Sequence, residues 1–255
     1  MRLYLVFFLI LFLCTVSLCA QNVYPADSIP DIKNNQSKAV AITSVAVPTL
    51  MITYGFISLE NNAIRQLDVD FRDKINRNNR LLNNHSFEFL QYSPAVAAFS
   101  MNLAGVKSTH KLSDMAILYA LSTATMTGVV YTTKHTINRT RPDGSENNSF
   151  PSGHTARAFV AAEFLHQEYG DQSIWISVGG YTMATLVGVS RICGDRHWVS
   201  DVVAGAGIGI LSTKFVYWTY PYLQKMFQKK DTKGQAFIYP SYSYGNIGLN
   251  FSCRF

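Results

Sequence analysis

Between two long apolar helical patterns, the stretch Ser190-Arg191-Ile192-Cys193-Gly194-Asp195-Arg196-His197-Trp198-Val199-Ser200-Asp201 gathers two arginines, a histidine and two aspartates. Charged side chains are rarely set in such surroundings unless they are paired or at work. His197 and Asp201 stand four apart, so on a helix they share a face and the carboxylate can reach the imidazole. That is the spacing of an oriented, activated histidine, and equally that of a helix cap with a satisfied ion pair. Lys134, Arg141 and Arg191 add single cations from three separate segments. A phosphoryl group in transfer spreads charge over three equatorial oxygens, and its catalysis is mostly positioning and charge stabilisation. Arginine's planar fork suits bidentate contact with phosphate oxygens, and lysine serves as a point charge. Pro151-Ser152-Gly153-His154 sits where a loop becomes a helix. There Ser152 can cap, Gly153 lets backbone approach a ligand, and the first-turn N–H groups bind anions.

Three segments line up: Lys134, six residues, then Arg141-Pro142; Pro151-Ser152-Gly153-His154; and Ser190-Arg191, five residues, His197, three residues, Asp201. Together they resemble the three-part signature of the type 2 phosphatidic acid phosphatase superfamily, which includes bacterial acid phosphatases and vanadium haloperoxidases. Every spacing fits from residue 134 to 201, while the leader and tail lie outside the match. The resemblance implies an α-helical core and a phosphatase in which His197 is the nucleophile, forming a phosphohistidine. It implies His154 as the general acid that protonates the leaving alkoxide. Asp201 would accept the other ring N–H of His197 and hold its tautomer. Lys134, Arg141, Ser152, Gly153 and Arg191 would bind the phosphate. No cofactor and no metal are expected, since three basic side chains take the part a magnesium ion plays elsewhere. Asp143, Asp195 and Arg196 fall outside the pattern and read as structural.

The elements that must position these residues follow from the apolar patterning. With 255 residues, 48% of them hydrophobic, the chain can bury one sizeable core and at most two domains. Residues 1–20 read as a signal peptide and 21–38 as a flexible leader. Ala39 to Leu59 is long enough to span a bilayer. Residues 60–87 are amphipathic, with Ile64, Leu67, Phe71 and Ile75 at helical spacing. Helices are expected over Phe87–Val106, Ser113–Lys134, Ser152–Gln167, Ile174–Ile192 and His197–Tyr220, with a long loop at 135–151. The expected fold class is all-α: a bundle of about six core helices over residues 39–228. Residues 229–255 would add a linker and a short C-terminal β-hairpin, because Tyr239 to Phe255 alternates around a Gly245-Asn246 turn signal. That hairpin is expected to pack on the helical body.

A net charge of +6 favours an anionic substrate or surface. No Lys/Arg run is long enough to track a nucleic-acid backbone, which excludes that partner. Removing the signal from a mean hydropathy of +0.07 leaves roughly −0.1 for the rest, a soluble-like value. A cleaved signal would also place residue 21 outside, and six spans from Ala39 would then put the site inside, opposite to the family's membrane members. The expectation is therefore a secreted periplasmic enzyme acting on phosphate monoesters. The alternative is an inner-membrane lipid phosphatase with its site facing the periplasm, acting on lipid A, undecaprenyl diphosphate or phosphatidylglycerol phosphate. Cys193 and Cys253 remain after signal removal, and a disulfide between them or two free thiols both fit.

Overall fold

The computed structural model describes residues 32–60, 63–78, 87–228, 235–243 and 246–254. The expected signal peptide and residues 21–31 of the leader lie outside the described residues. Apolar runs broken by turn residues become helices α1 (Ile32–Ile57), α2 (Ala63–Asn78), α3 (Phe87–Leu90), α4 (Ser93–Leu103), α5 (Leu112–Thr136), α6 (Gly153–Tyr169), α7 (Ile174–Cys193) and α8 (Val199–Gln228). Helix α1 thus starts at Ile32, inside the segment expected to be a flexible leader, and continues through Pro48.

The helical part sits around α6, which is apolar on nearly every side and is buried from Ala158 to Leu165. Met126 and Val130 of α5, Ala156 and Val160 of α6, Ile52 of α1, and Ile208 and Leu211 of α8 form one core cluster. Ala158, Phe159 and Ala162 meet Ala184 and Val187 of α7 on another side of the helix. Helix α8 can lie against the start of α6 because Gly205 has no side chain. A Cβ there would stand 2.5 Å from the Ser152 carbonyl oxygen. The one carboxylate buried in this apolar stretch, Glu163, is ion-paired to Lys214 at 2.8 Å and accepts hydrogen bonds from Gln167 and Tyr181.

Two sequence expectations need correction here. The fold class foresaw about six core helices with a short hairpin. Eight helices are found among the described residues, and the part up to Val216 has no strand there. The chain divides at Val216, and the strands β1 (Gln235–Ser243) and β2 (Asn246–Arg254) belong to the second unit. They pair antiparallel, Gln235 opposite Arg254, as a two-stranded sheet of their own rather than a component of the phosphatase-type core. Cys193 is a free thiol, and the side chain of Cys253 lies outside the described residues.

The second correction concerns the surface. Three helices are long and apolar enough to cross a membrane, Leu112–Thr136, Ile174–Cys193 and Val199–Lys225. The first was expected to bury in a globular bundle, yet only 28% of its most apolar window is buried. Ile117, Leu121 and Tyr131 on α5, and Trp175, Val178, Met183 and Leu186 on α7, are exposed. Apolar flanks of that extent belong against lipid rather than water. Helix α2 is rotated away from its pattern: Leu67 and Phe71 of the apolar stripe are 59% and 48% exposed, whereas Asp68, one turn on from Ile64 at the edge of the stripe, is 1% exposed.

Candidate active site

The C-terminal ends of α5 and α7, the N-terminal ends of α6 and α8, the 137–152 loop and the 194–198 turn together carry the residues of the three-part pattern. Their backbones are tied together there. The Ser152 N–H donates to the Asp201 carbonyl at 3.0 Å, and the Arg196 and His197 N–H groups donate to the Arg191 carbonyl at 3.0 and 3.3 Å. The 137–152 loop is ordered rather than loose. Arg139 and Ser149 exchange backbone bonds with Asn147 and Arg139, and the Arg141 N–H donates to the Glu146 carbonyl.

His197 lies in the turn between α7 and α8 and is 5% exposed. Its Nδ1 is 2.8 Å from the Ser149 carbonyl oxygen. A carbonyl only accepts, so Nδ1 carries the proton and Nε2 keeps its lone pair. Asp201 was expected to receive that N–H, but its Oδ2 stands 3.8 Å from Nδ1, in ion-pair range and beyond a hydrogen bond. Burial pushes the His197 pKa below its ordinary value, and the Asp201 carboxylate acts against that shift while Lys134 and Arg141 add to it. The net effect favours the neutral imidazole.

Asp201, fully buried, is the hub of a network. Its Oδ1 accepts from Arg139 Nη1 at 2.6 Å, and its Oδ2 accepts from the Trp198 N–H at 3.0 Å and from the Ser149 hydroxyl. Lys134 reaches into the same loop, donating from Nζ to the Asn148 carbonyl next to Ser149. Arg141 pairs through Nη2 with the exposed Glu146 at 3.0 Å, and its Nε is buried with no hydrogen-bond partner among the described residues. A buried guanidinium donor in that condition suits an incoming oxyanion. Arg191, in the last turn of α7, is buried as well.

Ser152 precedes α6, but its hydroxyl pairs with the Thr155 hydroxyl at 2.9 Å and does not cap the helix. The first-turn N–H groups of α6 are therefore not taken up by that side chain. His154 is the second residue of α6 and half-buried. A Cβ on Gly153 would meet only Val130 Cγ1, at an ordinary 3.7 Å, so packing does not require glycine there. Gly153→Ala is accordingly expected to keep its stability within about 1 kcal/mol. Its kcat/KM should fall about tenfold or more if a methyl group intrudes where the resemblance puts phosphate against the helix start. Melting curves beside steady-state kinetics check both parts.

Sequence reasoning missed Ser149, Ser200, Arg139 and Asp68. Ser149 acts through its backbone carbonyl, which has no sequence signature. Arg139 stands two residues before Arg141 in the signature loop and offered a signal that went unused. Asp68, on a helix with many charges, offered none.

An all-helical core with a cationic, histidine-bearing site at one end defines the class. Residues 115–225 match the family model of the PAP2 superfamily. Positions 134 to 201 of the three-part pattern lie within the match. The chain is 47% identical over 129 residues to the lipid A 1-phosphatase of Porphyromonas gingivalis, covering 50% of this chain and 29% of that protein. It is 40% identical over 82 residues to the bacitracin transport permease protein BcrC of Bacillus licheniformis, covering 32% of this chain and 38% of the relative. The chain thus matches less than half the length of these curated relatives. In structure it resembles a transmembrane PAP2-type phosphatidylglycerolphosphate phosphatase from Bacillus subtilis. The TM-score is 0.50 at 22% identity, over 73% of this chain and 98% of that one, a likeness of fold.

Proposed function

We propose that this protein is a membrane-embedded phosphatase that hydrolyses the phosphate ester of a lipid, through attack by His197 Nε2 on phosphorus. The observation that carries the reading is the neutral, carbonyl-anchored imidazole set beside cations at one end of a bundle with exposed apolar flanks. The membrane alternative therefore displaces the soluble periplasmic enzyme expected from mean hydropathy. The names of the relatives, a lipid A 1-phosphatase among them, support a lipid phosphate as substrate. In the inner membrane, with the site on the periplasmic side as the resemblance implies, the enzyme would meet its substrate at the bilayer surface.

In the first step the Nε2 lone pair forms the N–P bond as the P–O bond to the leaving group breaks. His154 gives its proton to the departing alkoxide. Lys134, Arg141, Arg191 and the α6 N-terminus offset charge on the three equatorial oxygens. The carbonyl of Ser149 holds the Nδ1–H, and the nearby Asp201 carboxylate stabilises the imidazolium character that develops. Water then attacks phosphorus on the opposite side, His154 takes its proton, and the N–P bond breaks to release phosphate.

The test is extraction and substrate choice. The full chain is expected to sediment with membranes, to need detergent for release, and to liberate phosphate from a lipid phosphate in mixed micelles in the presence of EDTA. Recovery in the soluble fraction, with turnover of p-nitrophenyl phosphate but of no lipid phosphate, would restore the soluble monoesterase.

A further inference from the structure

Helix α2 carries none of the phosphate-binding residues, yet it is bound to the catalytic turn at two points. Arg72 forms a two-pronged ion pair with Asp195, both bonds 2.7 Å. One helical turn away, Asp68 is buried, and its Oδ1 accepts the Ser200 N–H at 3.0 Å. Its Oδ2 accepts Arg139 Nη2 at 2.8 Å and the Ser200 hydroxyl. Arg139 is 8% exposed and donates from Nη1 to Asp201 at 2.6 Å, to the Ser200 hydroxyl at 2.8 Å and to Ser58 at 3.3 Å. The guanidinium groups of Arg72 and Arg139 also lie 5.7 and 5.6 Å from the Trp198 ring centroid.

The result is a buried row of alternating charge, Asp68, Arg139, Asp201, running from α2 to the ion-pair partner of His197. Arg139 has its guanidinium committed to Asp68, Asp201, Ser200 and Ser58. A buried arginine held by two carboxylates and two hydroxyls is retained for what it holds in place. We propose that Asp68 and Arg139 are positioning residues: Arg139 clamps the Asp201 carboxylate beside His197, and Asp68 offsets the charge of Arg139 so that His197 still feels Asp201 as an anion. This rests on the reading of His197 as nucleophile, which the His197 substitution described in the Discussion tests separately.

The charged groups that act on His197 are Lys134 from α5, Arg141 from the loop and Asp201 from α8, while His154 of α6 and Arg191 of α7 belong to the same pattern. Changing the Asp68–Arg139 pair removes none of these. The acid limb of kcat/KM reports protonation of the free enzyme's nucleophile, and neutral His197 is the active form. Asp68→Asn leaves the Arg139 charge less compensated, disfavours the imidazolium and should move the acid limb down by about half a pH unit. Arg139→Met removes a cation and should move it up by a similar amount. Each single variant should also lose about tenfold in kcat with p-nitrophenyl phosphate, with KM little changed. The double variant restores the net charge of the row and should return the limb to its wild-type position, while kcat stays low because Asp201 has lost its clamp.

The measurement is a pH–rate profile of the full chain in detergent, with a melting temperature for each variant. Limbs that stay in place in both single variants, or that move the same way, would overturn the proposal in favour of a purely structural network. Should neither single variant fold, the double variant decides. A wild-type limb with lowered kcat supports positioning, and wild-type kcat overturns it.

Discussion

Replacing His197 with alanine is expected to lower kcat by about four orders of magnitude or more. In the proposed mechanism the imidazole supplies the attacking lone pair. Its Nδ1 is committed to the Ser149 carbonyl, which leaves Nε2 for phosphorus. The cost in stability should be small by comparison. The lost hydrogen bond to Ser149 is worth about 1 kcal/mol, and the void of a removed imidazole adds to it. The readout is phosphate release from p-nitrophenyl phosphate in EDTA, together with acid-quenched labelling from a radiolabelled substrate. Wild type should retain label at a histidine and His197→Ala should retain none. A variant as active as wild type would sink the phosphohistidine mechanism and leave the PAP2 fold in place.

Asp201 is expected to show the largest effect on stability. Both of its oxygens are engaged, by Arg139, Ser149 and the Trp198 N–H, and none of them meets water. Asp201→Ala strips Arg139 of one of its two carboxylates and orphans two buried donors. Breaking a buried ion pair from one side costs about 3–5 kcal/mol, so Tm should drop by about 10 °C. Asp201→Asn keeps the shape and should cost less stability. Its kinetic effect separates two roles. In a triad where the aspartate itself holds the histidine tautomer, the Asn change costs about 10⁴ in kcat. Here the Ser149 carbonyl holds the tautomer and Asp201 contributes its charge from 3.8 Å, so a loss of about 10² is expected. A loss as large as 10⁴ would mean that Asp201 takes the Nδ1 proton contact during turnover.

The membrane reading shows where composition misleads. Averaged over the chain, polar loops and the Ser and Thr residues of α5 pull mean hydropathy toward a soluble value. Yet Thr132, Thr133 and Thr136 turn their hydroxyls back to the carbonyls of Gly128, Val129 and Thr132, so they present little polarity outward. What decides is how much of the apolar helix surface finds a partner inside the bundle, and that is a property of packing. Helix α2 makes the same point in reverse. Ile64, Leu67 and Phe71 mark an apolar stripe, and periodicity turns it toward a core. The buried side is instead the edge of that stripe next to Ile64, which bears Asp68, because Arg139 and Ser200 are there to satisfy the carboxylate.

Local chemistry was legible wherever it depends on residue type at short spacing. Lys134, Arg141, Ser152, Gly153, His154, Arg191, His197 and Asp201 could be read from the chain, and so could the helices that end beside them, since an apolar run stops where charge begins. The contacts among those residues could not. Which acceptor holds Nδ1 depends on the path of a loop forty-eight residues away. The partners of Asp201 come from the 137–152 loop and, through Arg139, from α2, with Asp68 seventy-one residues before that arginine. Such pairings depend on how helices pack and how buried charges find each other, and no periodicity along the chain encodes them. Residue types pointed to the reaction proposed here, and three-dimensional packing decided which groups hold His197 and which apolar helix faces stay exposed.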